Sequence, residues 1–151
     1  MDTTFLNGAA FSGLVFRNSN GTITFSAANY RHSCMDSTAA ESLAILDACM
    51  ELDNQKISKS IIESDSLNAI TFINVNSLNS FWSAAPIIAK IRDFKTLWTD
   101  WDFMFIFRNA NRASHELAHW AMVCNFEGIV PLQLFPDSAC CDSGFPLLDI
   151  P

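Results

Sequence analysis

Ile61-Ile62-Glu63-Ser64-Asp65-Ser66 joins two β-branched residues to a carboxylate and small capping residues, and the segment that follows repeats apolar residues at Leu67, Ala69, Ile70 and Ile73. The pattern predicts a buried strand that runs straight into the N-terminus of a helix. In open α/β sheets ligands collect outside the carboxyl ends of the strands, so Asp65 stands at a natural address for chemistry. A plainer role is open to the same residues: Ser64 or Asp65 can cap the helix by accepting a hydrogen bond from a free backbone N–H.

Upstream of this junction, Asp36 to Leu52 has helical periodicity, with Ala39, Leu43, Leu46 and Met50 on one stripe and Glu41, Ile45, Ala48 and Leu52 on another. A helix apolar on two sides is largely buried, which puts the Glu41 carboxylate at the head of an inward-facing row. Buried carboxylates need a partner or a metal. The alternative is a first-turn acid that faces solvent and complements the helix dipole. Before this helix the chain is β-prone. Thr3 to Leu6 ends at the small residues Asn7-Gly8-Ala9-Ala10, and Asn18-Ser19-Asn20-Gly21 separates Leu14-Val15-Phe16-Arg17 from Thr22-Ile23-Thr24-Phe25-Ser26 as a hairpin. Three antiparallel strands are expected to open the chain.

Downstream, a polar loop is expected over residues 74–80 and a helix from Ala85-Pro86, with Ile87, Ile91, Phe94 and Trp98 as its core stripe. Lys90, Arg92 and Lys95 fall off that stripe, either as a solvated face or as contacts to a phosphate backbone. Trp101, Phe103, Phe105 and Phe107 alternate with other residues as in a strand, an aromatic row that suits sheet packing better than base stacking. A last helix spans about Asn111 to Val123, with Ala113, Leu117, Trp120 and Ala121 facing the core. His115 and His119 sit one turn apart on it, a spacing that fits a metal if a third ligand joins them. His32 has no partner in the pattern.

A net charge of −7 over 151 residues, half of them apolar, points to one packed domain without a broad basic surface for nucleic acid or anionic membranes. Five cysteines without a C-x-x-C pair suit reduced thiols, and no run approaches the roughly 20 apolar residues of a membrane span. With no basic, apolar leader at Met1-Asp2-Thr3-Thr4-Phe5, a soluble protein of the nucleus or cytoplasm is expected, without membrane association and monomeric. Residues 124–151 carry four of the five prolines and four acids but no Lys or Arg, the composition of a loosely ordered acidic tail. The domain is thus expected over residues 1–123, where 12 acids and 9 bases leave a charge of −3. No G-x-G-x-x-G or Walker A pattern is present, which argues against a nucleotide-cofactor fold.

Asn7-Gly8-Ala9, Val15 to Gly21, Ala39-Ala40-Glu41-Ser42-Leu43-Ala44, Glu63-Ser64-Asp65-Ser66 and Arg108-Asn109-Ala110-Asn111-Arg112-Ala113-Ser114-His115-Glu116-Leu117-Ala118 occur in that order. Together they resemble the motifs of the plant ribonuclease H type 1, reverse-transcriptase-like domain family. The resemblance implies an α/β fold of the RNase H-like type: a five-stranded mixed sheet in the order 3-2-1-4-5, its first three strands antiparallel, with helices on both faces. It also implies an RNA/DNA-hybrid or duplex substrate and four carboxylates that hold two Mg2+ ions for hydrolysis of a phosphodiester. Glu41 and Asp65 match two of those carboxylates and are the expected metal ligands. The first carboxylate falls on Asn7 and the last on His115, so the expected site is Asn7, Glu41, Asp65 and His115 with Mg2+ affinity weakened or lost and Mn2+ as a substitute. An impaired endoribonuclease and a non-catalytic module that binds nucleic acid or protein both fit this pattern.

Overall fold

A computed structural model describes residues 1–75 and 83–131. The chain opens with an antiparallel meander of β1 (Asp2–Leu6), β2 (Ala9–Arg17) and β3 (Ile23–Arg31). It continues through α1 (Ser37–Asn54), β4 (Lys59–Ser64), α2 (Leu67–Asn74), α3 (Ala85–Leu97), β5 (Asp100–Phe105), α4 (Arg112–Cys124) and a short β6 (Gly128–Ile129). Most of the loop expected at residues 74–80 and all of residues 132–151, including Cys140-Cys141, lie outside the described residues.

Two local signals set the meander. Asn7 and Gly8 both have positive φ, 52° and 78°, and link the paired residues Leu6 and Ala9. This is the geometry of a two-residue type I′ hairpin loop, for which Asn-Gly is the favoured pair. At the next turn the Asn18 side chain accepts from the Asn20 and Thr22 amides at 3.0 and 3.1 Å, with Gly21 at φ 80°. The hairpin expected there forms.

β4 and β5 pair in parallel as a second ladder, and β1 meets β4 through a hydrogen bond from the Met1 amine to the Glu63 carbonyl at 3.0 Å. The meander and the parallel pair are separate ladders that meet at this bond, an arrangement compatible with the expected order 3-2-1-4-5. β6 adds a strand outside β3. Val130 is buried there, its amide donating to the Ser26 carbonyl at 2.9 Å and its carbonyl accepting from the Ser26 hydroxyl at 3.0 Å. Phe126 packs on Trp120, with ring centroids 5.2 Å apart. Within the segment expected as a loosely ordered tail, where Ile129-Val130 offers an apolar pair that can dock, Phe126 and Val130 are thus packed on the fold.

The core divides between the two faces of the meander. On one face Leu14 and Ala27 pack with Ile45 and Cys49 of α1, Ile70 of α2, Ile88 and Ile91 of α3, and the inward residues Ile62, Trp101 and Phe103 of the parallel pair. On the other, Phe11 and Ala28 pack with Leu117, Trp120 and Ala121 of α4. α1 is tied to β3 by Asp47, which takes Arg31 at 2.6 Å and Asn29 at 2.9 Å. β4 is covered on one side, so of the expected buried strand Ile62 is buried while Ile61 is 59 % exposed. α3 buries Ile88 and Ile91 most deeply, with Ile87, Phe94 and Trp98 partly covered, so its core stripe lies one position round from the expected one. In α4 the small residues Ser114 and Ala118 are buried in place of Ala113. Arg92 and Lys95 serve the packing of helices: Arg92 donates to the Phe72 and Val75 carbonyls at the end of α2, and Lys95 reaches the Asn74 side chain at 2.6 Å. No helix among the described residues is long and apolar enough to cross a membrane.

α4 lies directly on β2 at Gly13. A Cβ there would stand 2.8 Å from the Ala118 nitrogen and 3.0 Å from the Leu117 Cβ, and would also run into the Ser114 carbonyl. Backbone atoms of a packed helix cannot turn aside as a flexible side chain can. Gly13→Ala is expected to destabilise the fold by about 3 kcal/mol, the upper end of overpacking penalties. Urea unfolding midpoints measure this, and an unchanged midpoint would show that α4 lifts off β2 without cost.

Candidate metal centre

Asp2, the first residue of β1, is 1 % exposed, and its Oδ1 accepts from the Thr3 amide at 2.7 Å. Asp is disfavoured in strands, and a buried one signals a special environment. Glu41 stands in the second turn of α1, where Ile45, Ala48 and Leu52 are buried on the same row and aim it inward. The N-cap of α1 is Asp36, which accepts from the Ala39 amide at 2.8 Å and from the Ser83 hydroxyl at 2.6 Å. With the helix start served by Asp36, Glu41 is free to face the cluster. Asp65 follows β4, and the cap of α2 is Ser66, whose hydroxyl accepts from the Ala69 amide at 3.4 Å. Ser64 also accepts at this helix start, from the Ser66 amide at 3.1 Å, so the two serines serve the cap and Asp65 is left to the cluster.

Asp2, Glu41 and Asp65 each offer an oxygen, and these oxygens lie within 4.8 Å of one another. A cation bound at about 2.0–2.6 Å from each ligand spans separations of that size. Residues of α4 and the loop before it close the cluster. His115 Nδ1 is 2.7 Å from Asp2 Oδ2, and Arg108 approaches both His115 Nδ1, at 3.1 Å, and Asp65 Oδ2, at 4.0 Å. One Nδ1 cannot donate to Asp2 and accept from Arg108 together. The shorter contact, to a carboxylate, assigns the proton to Nδ1 and leaves Arg108 as a neighbouring positive charge. Asn111 is the N-cap of α4 yet makes no side-chain cap; its amide donates instead to the Met1 carbonyl at 2.6 Å and to Asp65 Oδ1 at 3.3 Å.

Of the four residues expected at the site, Glu41, Asp65 and His115 come together and Asn7 does not. Asn7 is exposed in the β1–β2 turn, and five strand residues at roughly 3.3 Å each put it roughly 16 Å from Asp2. Its αL-tolerant side chain is there for the turn. Asp2 takes the place expected of it, and the available signal was the acid at the head of a β-prone segment. Asn111 and Arg108 lie inside a quoted motif, but their roles depend on contacts across the fold. His119 is exposed and outside the cluster, and His32 packs edge-on against Tyr30 at 4.5 Å.

The electrostatics follow from crowding. Burial pushes the Glu41 carboxyl up to about 8, and the charges of Asp2 and Asp65 add to the effect. Glu41 Oε2 is buried with no hydrogen-bond partner among the described residues, and the nearby Thr3 hydroxyl eases its position only slightly. Asp2 is also raised, by burial first and then by Asp65, with the Thr3 amide and His115 acting against this. Orphaned buried oxygen on an all-carboxylate donor set suits a hard divalent cation such as Mg2+.

The sequence of residues 1–121 matches the family model described as reverse transcriptase-like. The chain belongs to the reverse transcriptase-like family. No curated protein sequence matches this reverse transcriptase-like domain. Among solved structures, RNase H1 from the halophilic archaeon Halobacterium salinarum superimposes with a TM-score of 0.75 at 17 % identity, over 82 % of this chain and 94 % of that one. The N-terminal RNase H domain of a Mycobacterium tuberculosis protein gives 0.73 at 13 %, covering 82 % and 90 %. LC11-RNase H1, in complex with an RNA/DNA hybrid, gives 0.68 at 18 %, covering 77 % and 88 %. These similarities establish an RNase H-like fold for the reverse transcriptase-like domain.

Two outcomes are expected from this geometry. In the metal-free protein Glu41 keeps its proton up to about pH 8 when folded but releases it near 4.5 when unfolded. The folded state then binds more protons across that window, so stability falls as pH rises through it. Thermal melts from pH 5 to 8 are expected to show this decline, Glu41→Gln to flatten it, and Mn2+ to restore more stability at pH 8 than at pH 5. Second, Asp2→Asn is expected to weaken Mn2+ binding at least about tenfold, the loss of one close charge, while Asn7→Asp leaves it unchanged. Calorimetric titration distinguishes the two, and tighter binding by Asn7→Asp would return Asn7 to the site.

Proposed function

We propose that this domain binds RNA/DNA hybrids and hydrolyses the RNA strand with a divalent cation, Mg2+ or Mn2+, at a rate lowered by His115 in place of a fourth carboxylate. The convergence of Asp2, Glu41 and Asp65 from β1, α1 and the end of β4 carries this reading. The fold shared with a ribonuclease H in complex with an RNA/DNA hybrid supports the choice of substrate. Asp2, Glu41 and Asp65 would hold the cation. When bound, it supplies charge neutralisation at a phosphate and activation of water for phosphodiester hydrolysis.

The protein's own groups have separate roles. Asn111 fixes Asp65 by donating to Oδ1, and His115 fixes Asp2 by donating to Oδ2. Arg108, largely exposed at the rim, offers a guanidinium for a substrate phosphate beside the carboxylates. Since Arg92 and Lys95 are engaged in packing α3 on α2, the grip on nucleic acid is local and its salt dependence shallow. A binding module without catalysis is the second reading, favoured by the donors that His115 and Arg108 already present to Asp2 and Asp65.

Single-turnover cleavage of a labelled hybrid tests the proposal. Slow cleavage is expected, faster in Mn2+ than in Mg2+, abolished by Glu41→Ala and by Asp2→Asn, with the RNA strand cut and the DNA strand intact. Hybrid binding without cleavage in either ion would favour the binding module. Absence of both would overturn the nucleic-acid reading.

A further inference from the structure

The oxygens of the cluster are not equally available. Asp2 Oδ1 is taken by the Thr3 amide and Oδ2 by His115 Nδ1, both at 2.7 Å. Asp65 Oδ1 accepts from Asn111 at 3.3 Å, and its Oδ2 faces the Arg108 guanidinium at 4.0 Å. All the donors from the last third of the chain therefore meet the cluster from the α4 side. Glu41, from α1, brings a buried oxygen with no partner among the described residues. The cluster is thus polarised: protein N–H groups and the Arg108 charge lie on the α4 side, while Glu41 is eased only by the Met1 amine and the Thr3 hydroxyl and keeps an oxygen without a hydrogen-bond partner among the described residues.

We infer that this centre takes one divalent cation, which Glu41 with Asp2 and Asp65 would hold, and that the N–H of His115 and the charge of Arg108 oppose a second. The inference rests on the proposed cation-dependent function of the same carboxylates and adds the number of ions to it. A second dication beside the first would need further hard, anionic oxygen ligands. His115 instead presents an N–H to Asp2 through Nδ1 and could ligate through that atom only by giving up the bond. An imidazole is also a poor ligand for a hard cation. Arg108 lies 3.1 Å from the same nitrogen, and its permanent charge opposes a dication at that position. The pair does part of what a second ion would do, since it balances carboxylate charge and places a cationic group where a phosphate would arrive.

The number of ions bound can be counted without any activity measurement. Mn2+ bound to the full chain is quantified by electron paramagnetic resonance, which also reports spin coupling between neighbouring ions. The wild type is expected to bind one ion, uncoupled, and to lose it in Glu41→Ala. His115→Asp is expected to bind a second, spin-coupled ion. The double variant His115→Asn/Arg108→Gln removes the competing donor and charge without adding a carboxylate, and is expected to take a second ion more weakly. Circular dichroism identifies which variants are folded, and either folded variant suffices for the comparison. Two coupled ions in the wild type would overturn this inference and leave the proposed function standing. A single ion in a folded variant would overturn the role given to His115 and Arg108. No bound ion in the wild type would overturn both this inference and the cation-dependent reading.

Discussion

The absence of a side chain at Gly13 is the constraint on which the arrangement depends. Gly13 is the cross-strand partner of Asp2, and the backbone of α4 at Ser114 and Ala118 rests where its Cβ would be. The close approach of helix to strand brings His115 within hydrogen-bonding distance of Asp2 and the N-terminus of α4 to the end of β4. A bulkier residue at this one position would lift the helix and separate the cluster from the groups that balance it. The same packing buries Leu117, Ala118 and Ala121, so the apolar contact that holds α4 and the polar contact that completes the centre have one geometric origin.

Gathering three carboxylates in a poorly solvated place works against folding. Each can be relieved by a hydrogen bond, a proton or a positive charge: the Thr3 amide and His115 meet Asp2, Asn111 and Arg108 meet Asp65, and burial raises the Glu41 carboxyl so that it favours its protonated form. Glu41 has the least compensation of the three, from the Met1 amine and the Thr3 hydroxyl, and its Oε2 has no hydrogen-bond partner among the described residues. Stability given up at one point for a function performed there is a common feature of binding sites. The surrounding protein is conventional in its packing, with Trp101 buried against Trp98 and bonded through its indole nitrogen to the Ile57 carbonyl at 2.9 Å.

The charge of −7 looks unfavourable for a nucleic-acid partner, and the structure sharpens the point by employing Arg92, Lys95 and Arg31 within the fold. Among the described residues the exposed side-chain cation beside the carboxylates is Arg108, with Arg112 paired at 3.9 Å to Glu116 one turn on. Recognition on these terms depends on the fit of a few groups around the centre more than on a broad electrostatic surface.

Much of the framework was legible locally because helices and hairpins are set by nearest neighbours. The inward row Glu41, Ile45, Ala48 and Leu52 of α1, the Asn18–Gly21 turn and the passage from β4 into α2 follow from residue spacing and backbone preference, whereas the other expected row of α1 ends on Met50, which is 50 % exposed; Asn7-Gly8 is readable in the same way as a two-residue turn. The ordered motifs also pointed to the family and to Glu41 and Asp65. Tertiary structure alone decided which acid joins them. Asp2 and His115 are separated by 113 positions in sequence, and their 2.7 Å contact exists because α4 settles on Gly13. The tertiary structure likewise made Asn111, at the start of α4, a partner of Asp65, and turned Arg92 and Lys95 from candidate phosphate contacts into ties between helices. Spacing along the chain reports which face of an element a residue occupies; it does not report what the rest of the fold brings to meet it.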